Sequence, residues 1–311
     1  MAGKVFINSK SGANAAEDDP AATIGAALRG ADVEECPPED LDAALDAQIA
    51  AGAEWVGVAG GDGTIRSAAQ RLAGSQTALL AVPMGTLNHF ARQLGISTLE
   101  DAAAAVDGST IAVDIGDVND KVFVNNASIG LYPLLVEGRE RRLHRLPKRL
   151  ADLAALSDEL RKGRSLSVCI DGEAISTWMV FIGNNVYCSG LFDITERESV
   201  TEGVVDVRLV RAEARFSRLR VVGAALFKRL DQSPLIERRV VSDIVIEPDP
   251  KEVAVALDGE VEELLAPLRF RSRKGALRVR VPATPYDAAD AAEDAARGDQ
   301  RATPAVQPQR S

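Results

Sequence analysis

Val58-Ala59-Gly60-Gly61-Asp62-Gly63-Thr64 decides how the chain is read. Ahead of it, Glu54-Trp55-Val56-Gly57-Val58 is an apolar run of buried-strand length, and behind it Ile65 to Leu72 repeats apolar residues at helical spacing. A strand that passes through glycines into a helix has the layout of a phosphate site. Glycine lets the backbone approach a ligand closely, and the helix N-terminus offers unpaired N–H groups and a partial positive charge to an anion. Asp62 would repel phosphates unless a cation stood between them, so it points to Mg²⁺ arriving with a nucleotide. An ordinary strand-to-helix turn has the same local signature, because glycine motifs are not specific.

A second stretch narrows the reading. Ala78-Leu79-Leu80-Ala81-Val82-Pro83-Met84-Gly85-Thr86-Leu87-Asn88-His89-Phe90-Ala91-Arg92 repeats the design, with a buried strand, a Pro/Gly/Thr turn and a helix closed by Gly95. On neighbouring strands, the two turns bring Thr64, Thr86 and Asn88 to one sheet edge, where open α/β sheets bind ligands. G-G-D-G-T followed by P-x-G-T-x-N-x-F-A-R resembles the diacylglycerol kinase catalytic domain, in particular the soluble bacterial lipid kinases related to sphingosine kinases.

The chain has 311 residues, enough to bury two cores, and carries a net charge of -10. That charge argues against general nucleic-acid binding, which needs Lys and Arg to neutralise phosphates. Cys36, Cys169 and Cys188 are unclustered and odd in number, so they give neither a disulfide framework nor a zinc spacing. This fits a reducing compartment. The N-terminus lacks the apolar core of a signal peptide, and no apolar run nears the ~20 residues that span a bilayer. A cytoplasmic protein with at most peripheral membrane contact is expected.

In chain order, Val5-Phe6-Ile7, a helix from Thr23, Asp32 to Glu35 and a helix from Glu39 to Ala51 lead into the two glycine units. Ser97-Thr98-Leu99-Glu100-Asp101 is a capped helix start, Gly108 stops that helix, and Ile111 to Ile115 is a strand. Strands alternating with helices predict a doubly wound, Rossmann-like domain over 1–117. After that the runs Phe123 to Ser128, Leu166 to Ile170, Ile175 to Ile182, Val204 to Val210, Ile244 to Glu247, Val253 to Leu257 and Ala276 to Val281 are short and β-branched. Asp171-Gly172 is a two-residue hairpin signal. A largely antiparallel β-sandwich domain over 118–283 is expected, whose last strands can return to the first domain. A disordered tail over 284–311 follows, rich in Ala, Asp, Gln and Pro. The resemblance implies the same two-domain plan, with the active cleft between the domains.

Between residues 137 and 164, Arg139, Arg141, Arg142, Arg145, Lys148, Arg149, Arg161, Lys162 and Arg164 accompany leucines at three- and four-residue steps. A core-facing helix with a solvated charged face explains the pattern, and such a face is also drawn to anionic lipid. Expected partners are therefore a lipid substrate and an anionic membrane surface met peripherally. No nucleic acid is expected, and a homodimer is a possible assembly.

The expected chemistry is phosphoryl transfer from ATP with Mg²⁺, which needs a phosphate cradle, a cation and a base near the acceptor hydroxyl. The cradle candidates are Gly60, Gly61, Asp62, Gly63, Thr64, Thr86 and Asn88. The resemblance adds Asn8, Ser11 and Gly12, since an N-x-x-S-G turn after the first strand helps bind ATP in that family. It also implies that Asp258-Gly259-Glu260 reaches into the cleft. On extended chain Asp258 and Glu260 would share a face, with Glu260 the favoured proton acceptor and Asp258 beside it. Asp62, Asp114 and Glu260 are the candidate metal ligands, Asp114 by its match to a family acid. His89 departs from the family, where many members carry Asp, and brings no negative charge to the magnesium. Two readings stay open beside the lipid kinase: a kinase of a soluble acceptor such as NAD, and a nucleotide-binding regulatory protein that has lost turnover.

Overall fold

The computed structural model describes residues 3–8, 20–28, 31–130, 165–188, 197–212 and 236–283. Its first part alternates β1 (Lys4–Ile7), α1 (Pro20–Ala27), β2 (Asp32–Glu35), α2 (Leu41–Ala50), β3 (Trp55–Gly60), α3 (Asp62–Leu72), β4 (Ala78–Pro83), α4 (His89–Gln93) and α5 (Leu99–Val106). The strands β2, β1, β3 and β4 lie side by side in that order and run parallel. Strand β3 is buried at every position and β4 at all but Pro83. Helices cover both faces of such a sheet, so its central strands read as continuous apolar runs. Helix α2 packs on α3, and α1 on α5. Right-handed crossovers put these pairs on opposite faces, so the winding reverses between β1 and β3. That is the topological switch point, and Asn8 and Gly61 leave the sheet there. Helix α5 opens with the cap expected within Ser97 to Asp101, and the structure shows it to be a capping box between Thr98 and Asp101. The Thr98 hydroxyl accepts from the Asp101 N–H at 3.2 Å, and the Asp101 carboxylate accepts from the Thr98 N–H at 2.9 Å.

The second part is built from β5 (Ser109–Val118), β6 (Lys121–Phe123), β7 (Asn126–Gly130), β8 (Leu166–Ile170), β9 (Glu173–Asn184), β10 (Val205–Arg211), β11 (Ile236–Val241), β12 (Asp243–Asp249), β13 (Glu252–Leu257), β14 (Glu260–Leu265) and β15 (Leu268–Val281). Their pairings with one another are antiparallel. The fold is thus α/β, with parallel strands first and antiparallel strands after, joined in one 15-stranded hydrogen-bonded network. The join is β15. Its start pairs with β12, its end lies parallel to β4 at Val279 and Leu79, and β5 runs antiparallel beside it. Two apolar cores form accordingly. Leu277, Val279 and Val281 of β15 enter the core of the parallel part, while Leu268 and Phe270 enter the other.

Three elements differ from expectation. The single run from Phe123 to Ser128 is broken between β6 and β7, because the N–H groups of Val124 and Asn125 turn aside to the Asp258 carboxylate. Strand β14 went unread because Glu260, Glu262 and Glu263 make it acidic. Among the described residues it pairs only with β13, and charge is what a sheet edge tolerates. Strand β11, with Glu237, Arg238 and Arg239, was missed for the same reason. The Asp171-Gly172 hairpin forms as expected, with φ of 54° and 82° as a type I′ turn requires. The basic stretch 137–164 and the tail 284–311 lie outside the described residues. Among the described residues no helix is long and apolar enough to cross a membrane.

Candidate active site

At the end of β3 the chain passes through Gly61, which is extended (φ -84°, ψ -179°), and α3 opens abruptly at Asp62. The N–H groups of Asp62, Gly63 and Thr64 therefore have no partner inside the helix. The turn after β4 comes against this one backbone to backbone, since a Cβ on Gly85 would stand 2.5 Å from the Gly61 Cα. Asn88 shapes that second turn. It takes the left-handed conformation (φ 50°), its Oδ1 accepts from the Gly85 N–H at 2.8 Å, and its Nδ2 donates to the Gly85 carbonyl at 2.8 Å. The Phe90 N–H donates to Asp62 Oδ1 at 3.3 Å and ties the turns together. Across the switch point, Asn8 Nδ2 donates to Thr64 Oγ1 at 3.0 Å. Thr86 is exposed. Ser11 and Gly12 lie outside the described residues. The two expected turns thus meet at one edge of the sheet, with Asn88 bonded to its own turn.

The D-G-E triplet departs from its expected geometry. Asp258 and Gly259 have φ of 50° and 92°, a left-handed turn between β13 and β14, so Asp258 and Glu260 do not share a face of extended chain. Their side chains part company. The Asp258 carboxylate accepts from the N–H groups of Val124 at 2.7 Å, Asn125 at 2.8 Å and Asn126 at 3.0 Å. Glu260 goes the other way. Its Oε2 accepts from Arg66 Nη2 at 2.9 Å, and its Oε1 stands over the first turn of α3, where a Cβ on Gly63 would lie 2.1 Å from it.

Burial pushes the Asp258 carboxyl up from 3.8 to about 6, against the pull of its three N–H partners and Arg66. Between those values the folded chain holds a proton that the unfolded chain has released, so stability falls as pH rises. What the group contributes is complete below pH 3.8 and is lost as the pH rises through about 6. The change is at most about 3 kcal/mol, at 1.36 kcal/mol per unit. Urea denaturation from about pH 4 to pH 7 is expected to show this decline in the parent and a flatter curve in Asp258→Asn. Equal slopes in both proteins would disprove the assignment.

Asp114, a candidate metal ligand by its match to the family, is engaged with the backbone of two other segments. It is buried, its Oδ2 accepts from the Gly203 N–H at 2.6 Å, and its Oδ1 accepts from the Gly275 N–H at 2.7 Å. Both oxygens thereby fasten β5 to the loop before β10 and to a bend in β15. Among the described residues no three His, Cys, Asp or Glu side chains gather closely enough to hold a metal ion. Asp62 and Glu260 remain beside the turn. That set fits Mg²⁺, which usually takes one or two carboxylates and completes its shell with waters and substrate phosphates. The turn itself suits an anion, because α3 opens there with unpartnered N–H groups and the Glu260 carboxylate already stands against Gly63.

Sequence reasoning missed Arg66, Gln70 and Glu262. Gly63, Arg66 and Gln70 lie at i, i+3 and i+7, a polar stripe on a helix that buries Ile65, Ala68, Ala69 and Leu72. That spacing was the available clue. It also missed Arg197, buried between the two parts, which donates to the carbonyls of Val124 at 2.8 Å and Asn184 at 2.9 Å and to the Gln93 side chain on α4.

Residues 3–118 match the family model for the diacylglycerol kinase catalytic domain. A Pseudomonas aeruginosa protein named "Probable lipid kinase YegS-like" is 32% identical over 258 residues, covering 79% of this chain and 83% of the relative. The chain belongs to the diacylglycerol kinase catalytic domain family. A diacylglycerol kinase of Mycobacterium tuberculosis is 33% identical over 210 residues, covering 62% of this chain and 67% of that protein. The crystal structure of a Bacillus anthracis diacylglycerol kinase has a similar fold, with a TM-score of 0.63, 19% identity, and coverage of 90% of this chain and 96% of that one. As a member of the diacylglycerol kinase family, the protein is a phosphotransferase with an alcohol group as acceptor.

Proposed function

We propose that the chain transfers the γ-phosphoryl group of ATP to a hydroxyl of a diacylglycerol- or sphingosine-like lipid. The cleft would lie between a nucleotide-binding domain, 1–117 with the end of β15, and a β-rich acceptor domain over 118–283. One observation carries the reading: Glu260 Oε1 stands against the turn at Gly63, so a proton acceptor from β14 meets a phosphate cradle from α3. The N–H groups of Asp62, Gly63 and Thr64 would hold the phosphates, with Thr64 oriented by Asn8. Asp62 would hold Mg²⁺ together with phosphate oxygens. ATP and Mg²⁺, once bound, supply the phosphoryl donor and the charge neutralisation that this chemistry needs. Glu260 Oε1 takes the proton of the acceptor hydroxyl. Asp258 shapes the segment from Val124 to Asn126 and leaves proton transfer to Glu260.

The basic residues between 137 and 164 support peripheral contact with an anionic membrane surface, where the acceptor resides. The test is ATP consumption with dioleoylglycerol and sphingosine in mixed micelles, beside NAD as a soluble acceptor. Turnover with a lipid is expected; turnover with NAD alone would overturn the lipid reading. Gly61→Val, which puts a branched side chain at the mouth of the cradle, is expected to weaken ATP binding by about tenfold or more, equivalent to 1.4 kcal/mol. Unchanged ATP affinity in the folded variant, measured by calorimetry, would remove the phosphate-turn assignment.

A further inference from the structure

We infer that Arg66 is a positioning residue for the proton acceptor, holding Glu260 by one carboxylate oxygen so that the other faces the phosphate turn. The inference rests on the reading of Glu260 as the base. Arg66 follows Gly63 by one turn of α3, and its Nη2 donates to Glu260 Oε2 at 2.9 Å and to Glu262 Oε1 at 2.8 Å. Glu260 and Glu262 are two residues apart on β14, so their side chains leave the strand on one face and a single arginine reaches both. Both hydrogens of Nη2 are engaged, and the guanidinium cannot turn without losing one carboxylate. Glu262 is held in turn by Lys121 Nζ at 3.2 Å.

The arginine itself is fixed. Its side chain is 12% exposed, against 26% for Glu262 and 53% for Glu260. One turn further along α3, Gln70 Nε2 donates to the Asp120 carbonyl at 3.1 Å and Gln70 Oε1 accepts from the Val122 N–H at 2.7 Å. The stripe Gly63, Arg66 and Gln70 is thereby registered against β14 and the strand that carries Lys121. An ion pair with a carboxylate as exposed as Glu260 adds little to stability. What the Arg66 bond fixes is a direction: with Oε2 tied back, Oε1 lies over Gly63.

The experiment measures kcat and the KM for ATP, on whichever of dioleoylglycerol and sphingosine the parent turns over faster, for Arg66→Met, Arg66→Lys, Glu260→Gln and the double variant Arg66→Met/Glu260→Gln. Misplacing a reacting group by about 1 Å costs ~10²-fold. Arg66→Met is therefore expected to lower kcat about 10- to 100-fold and to leave the KM for ATP within about twofold. Arg66→Lys is expected to recover most of the rate, since an ammonium also carries enough hydrogens to serve both carboxylates from one nitrogen. In the Glu260→Gln background the arginine should no longer matter, and the double variant is expected within about twofold of Glu260→Gln. Additive losses, or a loss confined to KM, would overturn the inference and leave Glu260 as the base. A near-parental Glu260→Gln, or a parent inactive on both lipids, overturns the proposed function and this inference with it. If Arg66→Met does not fold, Glu262→Leu, which removes the second acceptor of Arg66 Nη2, asks the same question from the other end of the network. It is expected to lower kcat in the parent and to do nothing in Glu260→Gln, and additive behaviour there would be equally fatal.

Discussion

Glu260→Gln is expected to lower kcat by about 10²- to 10⁴-fold, the span over which a positioned general base acts, with little change in ATP affinity. The substitution keeps the size and reach of the side chain, and its amide oxygen still accepts from Arg66, so the fold and the network around β14 should persist. The one property removed is the capacity to take a proton. Glu260 is 53% exposed on the side chain, and its loss should hardly move the melting temperature. The nucleotide turn belongs to α3 and to the strand before it, which is why binding and turnover should separate. Steady-state rates on a lipid acceptor, paired with calorimetric ATP binding, make the check. A variant that turns over at the parental rate would take β14 out of the chemistry.

Gly63→Ala is expected to cost about 10²-fold in kcat while leaving the protein as stable as the parent or slightly more so. The new Cβ would lie 2.1 Å from Glu260 Oε1 and 2.9 Å from its Cδ, so the carboxylate must swing away. That side chain is long and half in solvent, so it moves without disturbing backbone. Displacement by about 1 Å is enough for a loss of this size. Gly63 is helical and its φ is not among the positive ones, so alanine fits the backbone, and alanine favours a helix over glycine by up to about 1 kcal/mol. A methyl group that improves folding and damages turnover separates a functional glycine from a structural one. Thermal unfolding beside kcat decides it, and parental activity in Gly63→Ala would mean that the carboxylate has no fixed place over the turn.

The parallel part was legible because its signals are local. Apolar runs of strand length, glycines at strand ends and Thr98 before Asp101 each report on a few neighbouring residues, and β3, β4 and α5 follow from them. The meeting of the two turns was legible too, since both motifs follow central strands. What failed to show was set by distant partners. Asp258 and Glu260 differ in fate because one meets the N–H groups of residues 124–126 and the other meets Arg66. No spacing within D-G-E reveals that. Asp114 is a candidate metal ligand by its match to the family, and no local spacing reveals the approach of Gly203 and Gly275 to its oxygens. Strand β14 carries too many acids to read as a strand, and an edge position is what permits them.

The 14-residue strand β15 has a consequence for how the chain must fold. Its last apolar residues complete the core of a sheet whose other strands were synthesised first, so that core stays open until nearly all of the described chain exists. Until then the core of the early strands lacks Leu277, Val279 and Val281, and the apolar β4 edge waits for a partner some two hundred positions later. Contacts of such long range slow folding and prolong the exposure of a strand edge that invites pairing between chains. A fragment ending at residue 118, where the family match ends, would carry that bare edge permanently.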